Sequence, residues 1–178
     1  FFPEETAHFT TIDKAVSIFI KDNYAYVVCD KSGLLILDIS DPSSPEEVSR
    51  HSIPQGAKDI FIKNNNVYMA CDRQGFYITS IPNLQKTEYA YHLGVNDLAQ
   101  SVSIGSTFGF AGIGRSLYSL EGSMSGDVSI IQEPFYRLPD QIRGIFIVER
   151  DGYSDIYIAN EDAGLQIFRK NDNKNSQR

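Results

Sequence analysis

Residues 24–45 read YAYVVCDKSGLLILDISDPSSP, and residues 66–82 repeat the plan as NVYMACDRQGFYITSIP. In both, a short run of aromatic, β-branched and small residues ends in Cys-Asp. It turns through a glycine and leaves again as a second apolar run, which is the grammar of strand, turn, strand. Working outward, the spacing between the two copies extends along the chain. Tyr26, Tyr68 and Phe110 stand 42 residues apart, as do Ala15, Ala57 and Ala99; Cys29 and Cys71 share the interval, and so do Gly33 and Gly75. A fixed period of this size means stacked copies of one supersecondary unit.

Each unit divides into strands. Unit one has 15–20, 24–29, 33–39 and 46–53. Unit two has 57–62, 66–71, 75–81 and 85–93. Unit three has 99–104, 107–113, 116–121 and 127–138, and unit four has 142–148, 155–160 and 164–170. No segment offers a capped helical pattern over three turns. Four-stranded units of 40–45 residues read as β-propeller blades. Unit four lacks a fourth strand, and AHFTTID (7–13) has the form of an outer strand leading into a first strand.

The expectation is therefore an all-β chain, a β-propeller of four four-stranded blades, with the N-terminal strand closing the last blade so that no edge stays unpaired. The single domain covers residues 1–170, with repeats at 15–56, 57–98, 99–141 and 142–170 plus 7–13; residues 171–178 form a polar tail or linker. The alternative is a fragment of a larger propeller.

The bulk composition narrows the function. A formal net charge of −7 with a pI near 4.9 leaves no basic stripe to neutralise phosphates, which argues against nucleic acid. No apolar run approaches the ~20 residues that span a bilayer. The chain opens FFPEET rather than with Met, so a processed form or a piece of a longer protein is expected. Cys29 and Cys71 hold one place in successive units, too far apart for a disulfide, and are expected as buried thiols.

The stretch Tyr-Ala-Tyr-Val-Val (24–28), Gly33, Leu34-Leu35-Ile36-Leu37-Asp38 and Ile39-Ser40-Asp41-Pro42 resembles the LVIVD repeat. Unit two keeps Tyr68, the Asp72–Gly75 turn and Ile81-Pro82, but has Thr79 in place of the aspartate. Unit four keeps Tyr157, Gly164, Leu165 and Ile167, and unit three is degenerate. The resemblance implies a β-propeller, often of cell-surface or secreted proteins, with no catalytic residues to carry over.

In a propeller, the loops between second and third strands and those entering each first strand share one face, and that face usually binds. The first set offers Asp30, Lys31, Asp72, Arg73, Arg115 and Glu161, a polar ring able to grip a peptide or an anionic group. The same Asp-x-x-Gly spacing is also plain turn chemistry. Asp59, Asp97 and Asp140 make a second carboxylate set, the candidates should a Ca²⁺ ion occupy the axis, although no metal motif is present. His8, His51 and His92 fall on outer strands of different units, which disfavours a zinc site or a catalytic triad.

No nucleophile elbow, phosphate loop or dinucleotide fingerprint occurs. The reading is a non-catalytic interaction module without a cofactor that binds a protein partner through one loop face. An enzyme or metal-binding propeller with its site at the channel mouth is the alternative.

Overall fold

The computed structural model describes residues 2–85, 88–122, 128–130 and 136–171. Their strands form four antiparallel sheets. The first holds β1 (Ala15–Lys21), β2 (Tyr24–Cys29), β3 (Gly33–Asp38) and β4 (Glu46–His51) in sequential order. The second holds β5 (Asp59–Lys63), β6 (Asn66–Ala70), β7 (Phe76–Ser80) and β8 (Glu88–Leu93). The third runs β9 (Ala99–Ile104), β10 (Phe108–Ile113), β11 (Ser116–Gly122). Two short strands, β12 (Val128–Ile130) and β13 (Tyr136–Arg137), then both pair with β11. Thus the single strand expected over 127–138 is two strands, and residues 131–135 lie outside the described residues. The fourth sheet holds β14 (Ile142–Arg150), β15 (Tyr153–Asn160) and β16 (Gly164–Asn171).

The first three sheets bury apolar residues on both faces, so β2, β3, β6 and β10 read as near-continuous hydrophobic runs rather than clean alternations. Tyr26, Val28, Leu34 and Ile36 of the first sheet pack on Ile60, Ile62, Val67 and Met69 of the second. Tyr68, Phe76 and Ile78 of the second meet Val102, Ala111 and Ile113 of the third. Phe108, Phe110 and Leu117 of the third meet Ile145, Ile156 and Ile158 of the fourth. The 42-residue period is thus the repeat of one sheet-on-sheet interface, made three times. Cys29 and Cys71 are buried free thiols, as expected, Cys71 within the first of these interfaces and Cys29 on the outer face of the first sheet, and burial pushes the Cys71 thiol up to about 12.

The first strands line up in the order β1, β5, β9, β14, each packed beside the next. Polar latches join them. Lys21 Nζ donates to Asn64 O, Lys63 Nζ donates to Gly105 O, and Ser106 N and Oγ donate to Glu149. Each latch reaches from the end of one unit's first strand to the hairpin turn of its neighbour, about one period away.

One expectation is corrected. Residues 7–13 form no strand, and β16 has no partner besides β15 among the described residues. The segment is instead held to the first sheet. Asp13 Oδ1 and Oδ2 accept the N–H groups of Lys31 and Ser32 at 3.0 and 2.8 Å. Phe9 packs against the cluster of Ala25, Val27, Leu35 and Leu37. No packing comparable to that between successive first strands joins β14 back to β1 among the described residues, so the four sheets form an arc.

Candidate functional site

The turns between second and third strands, together with the loops that enter each first strand, share one face of the arc. The turns need residues that accept positive φ: Asp72 (φ 47), Gly33 and Gly75 (both φ 91). At Gly33 a Cβ would collide with His51 O, and at Gly75 with Leu93 O, so the backbone of the outer strand approaches where only glycine allows it. The turns also tie one unit to the next. Asp72 and Ala99 exchange backbone hydrogen bonds at 2.9 and 3.0 Å, and Ile142 N donates to Gly114 O at 2.8 Å.

The six residues of the expected ring occupy these turns, most of them with local partners. Asp30 N donates to Lys14 O, and Lys31 is exposed with its N–H on Asp13. Asp72 faces Lys58 at 3.8 Å. Arg115 Nε donates to Leu138 O at 3.2 Å. Glu161 accepts from Arg143 Nε at 2.6 Å, and Arg143 Nη1 reaches Gln100 at 3.3 Å. Arg73 is exposed, and no ion pair or hydrogen bond holds its guanidinium among the described residues. It borders a depression of about 390 Å³ lined also by Val95, Asn96, Asp97 and Leu98.

The second carboxylate set does not come together. Asp59 is the first residue of β5. Its Oδ2 accepts from Ser101 Oγ at 3.0 Å and from Val102 N at 2.9 Å, and its Oδ1 accepts from Ile60 N. Burial pushes its carboxyl above the usual range, against the pull of those donors. Asp97 and Asp140 lie in entry loops, where each Oδ1 accepts the N–H of the following residue. No group of three His, Cys, Asp or Glu side chains able to hold a metal occurs among the described residues. The position equivalent to Asp97 and Asp140 in the first unit is Asp13, 84 residues before Asp97. The spacing could have identified it. Ser32 and Lys31 hold the Asp13 carboxyl below its ordinary range.

Sequence reasoning also missed Ser101, which stands 42 residues after Asp59. Its buried hydroxyl donates to Asp59 Oδ2 and accepts from Ile145 N at 2.9 Å, so one side chain joins the second, third and fourth sheets. The histidines stay apart. His51 Nε2 lies 3.0 Å from Ser49 Oγ and 3.1 Å from Leu84 O. His92 stacks on Tyr77 at 4.1 Å between ring centroids, and His8 sits near Glu5 in the N-terminal segment. No described helix is long and apolar enough to cross a membrane.

With this geometry in view, comparison with known proteins places the chain among β-propellers. Residues 13–52 match the LVIVD repeat family. The match spans the first sheet and the segment entering it. No curated protein matches the chain in sequence. Among solved structures it is similar to the computationally designed Ika4 protein (8% identity, 94% of this chain and 98% of that one, TM-score 0.67). It is also similar to the β-propeller domain of Myceliophthora thermophila Cps50 (Swd1) (11% identity, 92% of this chain and 58% of that one, TM-score 0.64). A third similar chain lies in the S. cerevisiae complex of Dbp5 bound to Nup159, Gle1, IP6 and ADP (12% identity, 90% of this chain and 50% of that one, TM-score 0.55). The chain spans nearly the whole length of the first and about half of the other two.

Proposed function

We propose that this chain is a non-catalytic interaction module whose four sheets are propeller blades presenting the loop face to a protein partner. The observation that carries the reading is the state of the polar groups on that face. Asp13, Asp97, Asp140, Arg115 and Glu161 are each engaged with local backbone or a neighbouring side chain, which builds the face but leaves little chemistry to perform. Arg73 stands uncommitted beside a shallow polar depression. An exposed guanidinium at such a rim is suited to a carboxylate-bearing segment of a partner. A net charge of −7 favours a protein over a nucleic acid as that partner. The comparison fold includes a complex in which Dbp5 is bound to Nup159, consistent with a scaffold role for the architecture.

The test places a photo-crosslinking residue at Arg73 and, as a control, at Asn64 in the opposite turns. The proteins captured are identified, and the affinity of the purified partner is measured for the chain and for Arg73→Glu. Capture confined to the loop face, with binding weakened at least tenfold by Arg73→Glu, is expected. Equal capture at both faces, or binding indifferent to Arg73, rules the assignment out.

A further inference from the structure

The two ends of the arc carry exposed apolar residues, and the repeat identifies the face each belongs to; on the first sheet they flank the cluster that Phe9 covers. Ile18 and Ile20 on β1 are 60% and 52% exposed, whereas their equivalents Ile60 and Ile62 on β5 are 3% and 5% exposed beneath the first sheet. At the other end, Phe146, Leu165 and Ile167 are 67%, 65% and 58% exposed. Strand register makes them the counterparts of Phe19, Leu34 and Ile36: Phe19 pairs across to Tyr26 and on to Ile36, as Phe146 does to Tyr157 and on to Ile167. Leu34 and Ile36 are fully covered by the second sheet, and Phe19 packs there too. The bare faces are therefore the two complementary halves of the interface that the chain makes three times internally.

The edges match in the same way. Among the described residues β16 pairs only with β15, so its sheet has three strands where the first two have four. Residues 4–9 are the counterparts of β4 (46–51), and Phe9 lies on the outer face of the first sheet. That is where the outer strand of a preceding sheet would lie, yet the segment has no strand partner.

We propose that a second copy of this chain completes the ring. The fourth sheet of each copy docks on the first sheet of the other, and the N-terminal segment of one copy adds in trans to the β16 edge of its partner. The two contacts are related by a twofold axis and close on themselves, so assembly stops at two chains. Two observations favour a second copy as occupant: continuity with the internal interface, and the paired deficits of edge and strand among the described residues. In-chain closure would need the same two faces to meet, and here Ile18 and Ile20 on one and Phe146, Leu165 and Ile167 on the other stay exposed.

The mass of the 178-residue chain is measured by light scattering and sedimentation at tens of micromolar. A particle of twice 20.0 kDa is expected. Ile18→Asp and Ile167→Arg change exposed positions, so each is expected to keep its circular dichroism and to run as a monomer. Mixed together, the two are expected to restore the pair, because one intact interface and one Asp–Arg contact then coexist. Leu165→Lys serves as a second variant of the fourth sheet. A monomer at all concentrations, a mass that grows without limit, or a dimer that persists in both Ile18→Asp and Ile167→Arg overturns the proposal.

Discussion

Ser101→Ala tests whether the sheets are held by polar seams as well as by apolar packing. The hydroxyl is buried, donates to Asp59 Oδ2 at 3.0 Å and accepts from Ile145 N at 2.9 Å. Its removal leaves a buried backbone N–H without an acceptor, at about 1–3 kcal/mol, and takes one donor from a buried carboxylate, at about another 1 kcal/mol. The expected loss is about 2–4 kcal/mol, or roughly 5–12 °C in melting temperature for a chain of this size. Urea and thermal unfolding followed by circular dichroism measure it.

The deficit should also depend on pH. The Asp59 carboxyl lies above its ordinary range in the folded state, so its ionisation disfavours folding. That cost is absent below the ordinary carboxylate value and grows as pH rises towards the raised one. Losing the Ser101 donor raises it further, so the variant should lose more at pH 7 than at pH 4. Asp59→Asn should couple with Ser101→Ala by about 0.5 kcal/mol or more in a double-mutant cycle. A deficit below about 0.5 kcal/mol, the range of ordinary surface substitutions, or strict additivity with Asp59→Asn, refutes the seam.

The remaining expectations concern the turns, the thiols and acid. Gly33→Ala should destabilise by about 2 kcal/mol or more, because positive φ combines with a backbone collision at His51 O, while Gly164→Ala should cost about 1–2 kcal/mol, since φ is positive there but the space is open; urea midpoints of the two variants give the comparison. Cys71, held protonated by burial with its thiol near 12, should resist iodoacetamide at pH 8 in the folded chain and react at once in denaturant; mass spectrometry of labelled protein reads this, and fast labelling of the native chain contradicts it. Hydrogen bonding from Arg169, with Arg150 close by, holds the Asp155 carboxyl below its ordinary range. Its contribution is present above the ordinary carboxylate value and lost as pH falls through the lowered one. Asp155→Asn should therefore be less stable than the parent at pH 7 and approach it near pH 2, and a constant difference across that range would be the failing result.

The arrangement of strands was legible because each strand is a local decision. Tyr24–Cys29 and Asn66–Ala70 are short runs of aromatic, aliphatic and small residues that lead into the turn glycines Gly33 and Gly75, so their places follow from short windows and the period. The burial of Cys29 and Cys71 was legible for the same reason. The site was less so. Asp59, Asp97 and Asp140 look alike as loop carboxylates, yet Asp59 belongs to a strand and a buried seam whereas the other two cap their own loops. Which N–H a carboxylate meets depends on the neighbouring sheet, and that neighbour lies about 42 residues away.

The sequence by itself determined the repeat, the all-β architecture and the LVIVD character of the first unit, because hydrophobic period and turn chemistry act within a few residues. Only the tertiary structure decided where residues 7–13 go. In sequence they match an outer strand, but strand pairing needs an edge within hydrogen-bonding reach. Asp13 and Phe9 hold the segment on the first sheet while the edge of β16 stands at the other end of the arc. Closure is a property of the angles summed over three sheet-on-sheet contacts, and no single stretch of sequence contains that sum.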